Sequence, residues 1–182
     1  MENAIGAVES NSIAKGIEAA DAMLKAADVR LLASMPTCPG KYVVVVGGEV
    51  AAVTSSVNAG IKVLSTSLVD SFIIPNVHRD VFPAISATSE VPKIDALGVI
   101  ETFSLASCIL ASDAAVKAAN VKLIEIRLGR GLGGKSFVTM TGEVAAVKAA
   151  VDAGIMTVKS EGLVLNWVVI PSPHKDMIPS LL

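Results

Sequence analysis

The chain has 182 residues, a formal net charge of -2 and two cysteines, Cys38 and Cys108. That length suits one large domain or two small ones, and a near-neutral balance with no basic run argues against nucleic acid as the main partner. Two cysteines are too few for a disulfide framework, and no segment reaches the roughly 18 apolar residues that would span a bilayer.

In chain order, residues 4–9 alternate and are rich in β-branched side chains, which predicts a strand. Ser12 is placed to cap a helix over 13–27, with Ile13, Ile17, Ala20 and Leu24 as its apolar stripe. Residues 29–34 read as a second strand and 35–40 as a loop. Residues 42–46 are a continuous apolar run, expected as a strand buried on both faces. A second helix is predicted over 49–60, with Glu49 in its first turn and Gly60 as its stop. A strand over 68–74 follows, ended by Pro75, and then a short helix over 78–85. The same order returns as strand 96–101, helix 104–119, strand 121–128, loop 129–134, strand 136–141, helix 143–154 and strand 163–170.

The second series is a copy of the first. Gly6 with Glu9 recurs as Gly98 with Glu101, 92 positions on, and Lys25-Ala26-Ala27-Asp28-Val29 recurs as Lys117-Ala118-Ala119-Asn120-Val121. Gly48-Glu49-Val50 returns 94 positions on as Gly142-Glu143-Val144, and Ile74-Pro75 with His78 returns 96 positions on as Ile170-Pro171 with His174. The offset grows in two loops, while order and spacing hold throughout. This is a duplicated domain, read as 1–90 and 91–182, with a linker at 88–93. The fold class is α/β (α+β), two tandem β-α-β-β-α-β modules of ferredoxin-like order, each with both helices on one face of an antiparallel sheet. Hydrophobic residues make up 52% of the chain and charged residues 18%, so an obligate oligomer is expected. The N-terminus carries Glu2 and Glu9 and lacks a basic stretch before an apolar one, so the expected location is cytoplasmic.

Taken together, these motifs resemble the bacterial microcompartment shell domain, twice and in order, across nearly the whole chain. The resemblance implies a structural, non-enzymatic tile. Tandem members form trimers that imitate a hexagonal hexamer with a central pore, and the tiles join other shell proteins edge to edge. By match to the family, Lys25 and Lys117 would be tile-edge lysines, and His78, Arg79 and His174 would meet the neighbouring tile. A lysine at a helix C-terminus is otherwise an ordinary solvated charge, and a histidine after a proline turn is ordinarily structural.

The loop that rims the pore in this family reads Met35-Pro36-Thr37-Cys38-Pro39-Gly40-Lys41 in the first copy. In the second it reads Gly129-Arg130-Gly131-Leu132-Gly133-Gly134-Lys135. Thr37, Cys38, Pro39, Gly40, Leu132 and Gly133 are therefore the expected pore residues. A trimer would bring three Cys38 thiols to one axis, a soft-ligand set suited to an iron–sulfur cluster, zinc or copper(I). The chain is most similar to tandem shell proteins of propanediol-utilisation microcompartments, which carry a [4Fe–4S] cluster at the pore within a Cys-Pro-Gly-Lys loop. That similarity implies Cys38 as the metal and cofactor ligand, one per subunit, with redox enzymes inside the shell as further partners. A loop thiol without a ligand, in a passive metabolite pore, is the competing reading. Cys108 sits on an apolar helix stretch and is expected to be a core residue.

The glycine-rich loop 129–135 lacks the spacing of a phosphate-binding loop and precedes a strand rather than a helix. Arg130 would add positive charge near the pore mouth. Asp21 and Asp113 are expected as solvated or edge contacts. No Ser/His/Asp set, paired carboxylates or metal-spaced histidines stand out, so the enzyme reading is the weakest.

Overall fold

A computed structural model describes residues 3–129 and 131–181. The chain divides into two compact units, Met1–Arg79 with Arg130–Gly134, and Asp80–Gly129 with Lys135–Leu182.

The first unit holds β1 (Ala4–Ser10), α1 (Ile13–Ala26), β2 (Arg30–Thr37), β3 (Lys41–Gly48), α2 (Val50–Leu64) and β4 (Leu68–Pro75). Its sheet is antiparallel in the order β2-β3-β1-β4. Both helices pack on the face carrying Ala4, Val8, Val44 and Val46. The valine run of β3 is wholly buried, as a continuous apolar strand requires.

The second unit opens with α3 (Val81–Ile85) and continues with β5 (Ala96–Thr102), α4 (Leu105–Ala118), β6 (Lys122–Leu128), β7 (Ser136–Gly142), α5 (Val144–Val158) and β8 (Val164–Ile170). A 3-10 turn, Lys175–Ser180, follows. The sheet order is β6-β7-β5-β8, the counterpart of the first. Even the pairing register is duplicated. Gly6 faces Val46 and Ile73, while Gly98 faces Met140 and Val169. The irregularity between Leu31 and Ala33 recurs between Leu123 and Glu125. Residues 80–90, read from the sequence as the end of the first domain, group with the second unit, because α3 buries Val81, Phe82 and Ala84 and packs on β6.

Ser12 caps α1 as the sequence indicates, accepting from the backbone N–H of Lys15, and Ser104, expected as the first residue of its helix, is instead the cap of α4, accepting from Ser107. Several expectations change. The short helix starts at Val81 rather than at 78, and Glu49 occupies the N-cap position of α2 with no side-chain capping bond. The core face of α1 is Gly16, Ala19, Ala20 and Met23, whereas Ile13, Ile17 and Leu24 are exposed. Both sides of this helix are apolar, and only the small-residue side lies flush on the sheet: a Cβ at Gly16 would stand 2.5 Å from the Tyr42 side chain. Gly60 and Gly154 do not end their helices, which run on to Leu64 and Val158. They mark close helix approach instead. A Cβ at Gly60 would lie 2.8 Å from Met23 Sδ, and one at Gly154 the same distance from the Ala111 carbonyl oxygen.

Candidate functional site at the Cys38 hairpin

β2 and β3 pair as far as Thr37 opposite Lys41, which leaves Cys38-Pro39-Gly40 as a three-residue connection. The loop is thus shorter than the expected 35–40. Met35 and Pro36 pair with Val43 and Tyr42, and Pro36 is tolerated because β2 is an edge strand. Thr37, expected on the pore loop, closes the strand instead. Its side chain is buried, and Oγ1 has no hydrogen-bond partner. Gly40 turns the chain at φ +81°, with open space where a side chain would be, and the Cys38–Pro39 peptide is cis.

The hairpin is anchored beside its tip. Lys41 Nζ lies 3.2 Å from Glu9 Oε1, tying the start of β3 to β1. The second repeat keeps the same tie, with Lys135 Nζ 2.6 Å from Glu101 Oε1. Cys38 is a free thiol, partly exposed at the turn.

The equivalent loop of the second repeat lies against it. Gly131, Gly133 and Gly134 all have positive φ, flank Leu132, and belong with the first unit. A Cβ at Gly134 would stand 3.5 Å from the Cys38 carbonyl oxygen. Cys38 thus has a glycine-rich loop beside it that contributes backbone and little side-chain bulk. Arg130 lies outside the described residues. Among those described, no three His, Cys, Asp or Glu side chains converge as metal ligands, so one chain offers one thiol here.

The other cysteine is of a different kind. Cys108 is fully buried on α4, and burial pushes its thiol up from 9.0 to about 12, against the smaller lowering by hydrogen bonds with Thr102 and Ser112.

Lys25 and Lys117 occupy the last turns of α1 and α4, each 2.6 Å from an aspartate one turn earlier, Asp21 and Asp113. Asp21 is exposed as expected, but Asp113 is buried, because this side of α4 is covered within the chain. His78 and Arg79 lie between β4 and α3, after Asn76 at φ +55°. His174 Nδ1 accepts the backbone N–H of Asp176 at 3.3 Å, a local cap for the C-terminal turn. Asp80, which no motif singles out, places its carboxylate 3.5 Å from Lys122 Nζ. Its recurrence as Asp176 is the one sequence signal that marks it. No helix among the described residues is long and apolar enough to cross a membrane.

Comparison with known proteins agrees with the duplication. The BMC domain family matches residues 4–77 and again 96–173. The chain is 45% identical over 177 residues to the bacterial microcompartment shell protein PduT of Citrobacter freundii, covering 97% of this chain and 96% of that one. It is 46% identical over 85 residues to the shell protein EutM of Escherichia coli, which covers 46% of this chain and 84% of EutM. One repeat therefore equals nearly a whole protein of that kind. Among solved structures, a microcompartment protein from Desulfitobacterium hafniense superposes with a TM-score of 0.96 at 56% identity, covering 98% of this chain and 99% of the other.

Proposed function

The chain belongs to the BMC domain family, as a structural subunit of a bacterial microcompartment shell, and on that premise we propose that three copies close into a six-module tile with the Cys38 thiols on its axis. In this reading the three thiolates hold a [4Fe–4S] cluster, which would supply one-electron transfer across the shell. The observation that carries it is the position of Cys38: a partly exposed thiol at the tip of a short hairpin, with a glycine-rich loop beside it. With one thiol per chain, only an oligomer can complete the ligand set. Lys25 at the open end of α1 fits an edge contact with other shell proteins, and the relatives are shell proteins rather than enzymes.

A cluster-free tile with a metabolite pore is the second reading. It is favoured by the open space at Gly40, Gly131 and Gly133, where no side chain fills the turn or the loop beside it. Protein purified without oxygen separates the two. A brown product with about four irons and four sulfides per three chains, lost in Cys38→Ser, is the expected result. Colourless protein that stays iron-free after reconstitution would leave the passive tile.

A further inference from the structure

The second repeat carries an ion pair that the first lacks. Arg127 on β6 holds its guanidinium over the Phe137 ring, 5.3 Å from the centroid. Its Nε and Nη2 donate to the Glu125 carboxylate at 2.6 and 2.9 Å. By the duplicated register the same two positions are Met35 and Ala33 in the first repeat, whose strand pairs in the same way. Pairing of β6 with β7 therefore does not require the charges.

The pair stands in a cleft of about 410 Å³ that lies wholly within the second unit. That volume falls in the range of small-molecule sites, roughly 300–1,000 Å³. One wall is apolar: Val91 from the segment after α3, Ile124 from β6 and Leu181 from the C-terminal end belong to one hydrophobic cluster. The other wall is polar, with Glu125, Arg127 and Ser89. A guanidinium has five N–H groups; Glu125 takes two, so three remain for a further acceptor. Ser89 adds a hydroxyl that makes no hydrogen bond among the described residues.

We infer that this cleft binds a small monocarboxylate with a short apolar tail. Its carboxylate takes the remaining Arg127 N–H groups and the Ser89 hydroxyl, and its tail lies against Val91, Ile124 and Leu181. Glu125 on one edge and Phe137 on one face hold the guanidinium ready for a second planar acceptor. Glu125 also opposes an incoming anion, which keeps the affinity in the millimolar range and turns away dianions more strongly than monoanions. A cation meets Arg127, and a ligand without a tail leaves the apolar wall unused. The site needs neither the trimer nor the Cys38 cluster, because all of its residues lie in one unit of one chain.

Methyl NMR titration of the full chain with sodium butyrate tests it, with acetate and butylammonium for comparison. Butyrate should give saturable shifts at the Val91, Ile124 and Leu181 methyls. Acetate should bind at least about fivefold more weakly for lack of the tail, and butylammonium should leave these methyls unmoved. Arg127→Met and Glu125→Ala install what the first repeat carries at the matching positions. Arg127→Met should weaken butyrate at least about tenfold. Glu125→Ala should bind it at least about threefold tighter, a gain that a purely structural ion pair would not produce and that only folded protein can show. No saturable shift with butyrate, acetate binding as tightly, an unchanged titration in Arg127→Met, or no gain in Glu125→Ala would each overturn the site.

Discussion

The backbone at Gly154 of α5 stands so close to Ala111 of α4 that a Cβ would come within 2.8 Å of the Ala111 carbonyl oxygen. The duplicate position, Gly60, meets the thioether of Met23 at the same distance. Backbone cannot yield, whereas the end of a methionine side chain can. Gly154→Ala should therefore cost about 1–3 kcal/mol as an overpacked helix contact. Gly60→Ala should cost less, because the Met23 side chain can shift while both variants gain the same helix propensity of about 1 kcal/mol. Denaturant titration of the two variants side by side checks the order.

The thiols differ in access: Cys38 is partly exposed and Cys108 is buried. In cluster-free native protein one thiol per chain, Cys38, should react with an aromatic disulfide reagent, rising to two on unfolding. Native protein with Cys38→Ser should not react.

Cys108 also sets an alkaline limit on stability. Its folded pKa is raised from 9.0 to about 12, so the contribution is complete below pH 9, where folded and unfolded chains both keep the proton. Above that the unfolded chain ionises first. Stability should fall by about 1.4 kcal/mol per pH unit from this group as pH rises from 9 towards 12. Cys108→Ala should show a shallower slope between about pH 9 and 10.5 in the same denaturation series.

Lys25 is bonded only to Asp21 on its own helix among the contacts described, in an exposed pair of the kind worth about 0.3–0.5 kcal/mol. Lys25→Ala should leave thermal stability and the size of the isolated assembly unchanged. Sheet formation in vitro, followed by electron microscopy, should be lost. Sheets that form as for the wild type would remove Lys25 from the tile edge.

The Ser104 hydroxyl caps α4, accepting from Ser107 N–H at 3.4 Å. Ser104→Ala should destabilise the chain by about 1 kcal/mol, read from the denaturation midpoint at unchanged slope.

Much of the site is legible in the residues themselves. Cys38-Pro39-Gly40-Lys41 marks a tight turn with a thiol at its tip, and the alignment of Lys41 with Lys135 points to the paired loops. The extent of the loop is not legible. Met35, Pro36 and Thr37 look like turn residues, but cross-strand pairing with Val43, Tyr42 and Lys41 holds them in β2. Gly60 and Gly154 mislead for a similar reason. A glycine that ends a helix and one that admits a neighbouring helix look the same in sequence.

Sequence by itself determined the duplication, the β-α-β-β-α-β order, the Ser12 cap and the burial of Cys108. Each of these follows from local chemistry or from residues repeating at fixed offsets. Only the tertiary structure decided which side of α1 is core. Ile13, Ile17 and Leu24 form as good an apolar stripe as Ala19, Ala20 and Met23, and the choice depends on which side lies flush on Tyr42. It also decided that one repeat is covered where the other is open. Similar local sequence cannot say which copy has a neighbour within its own chain, because that depends on which segment folds back onto which unit.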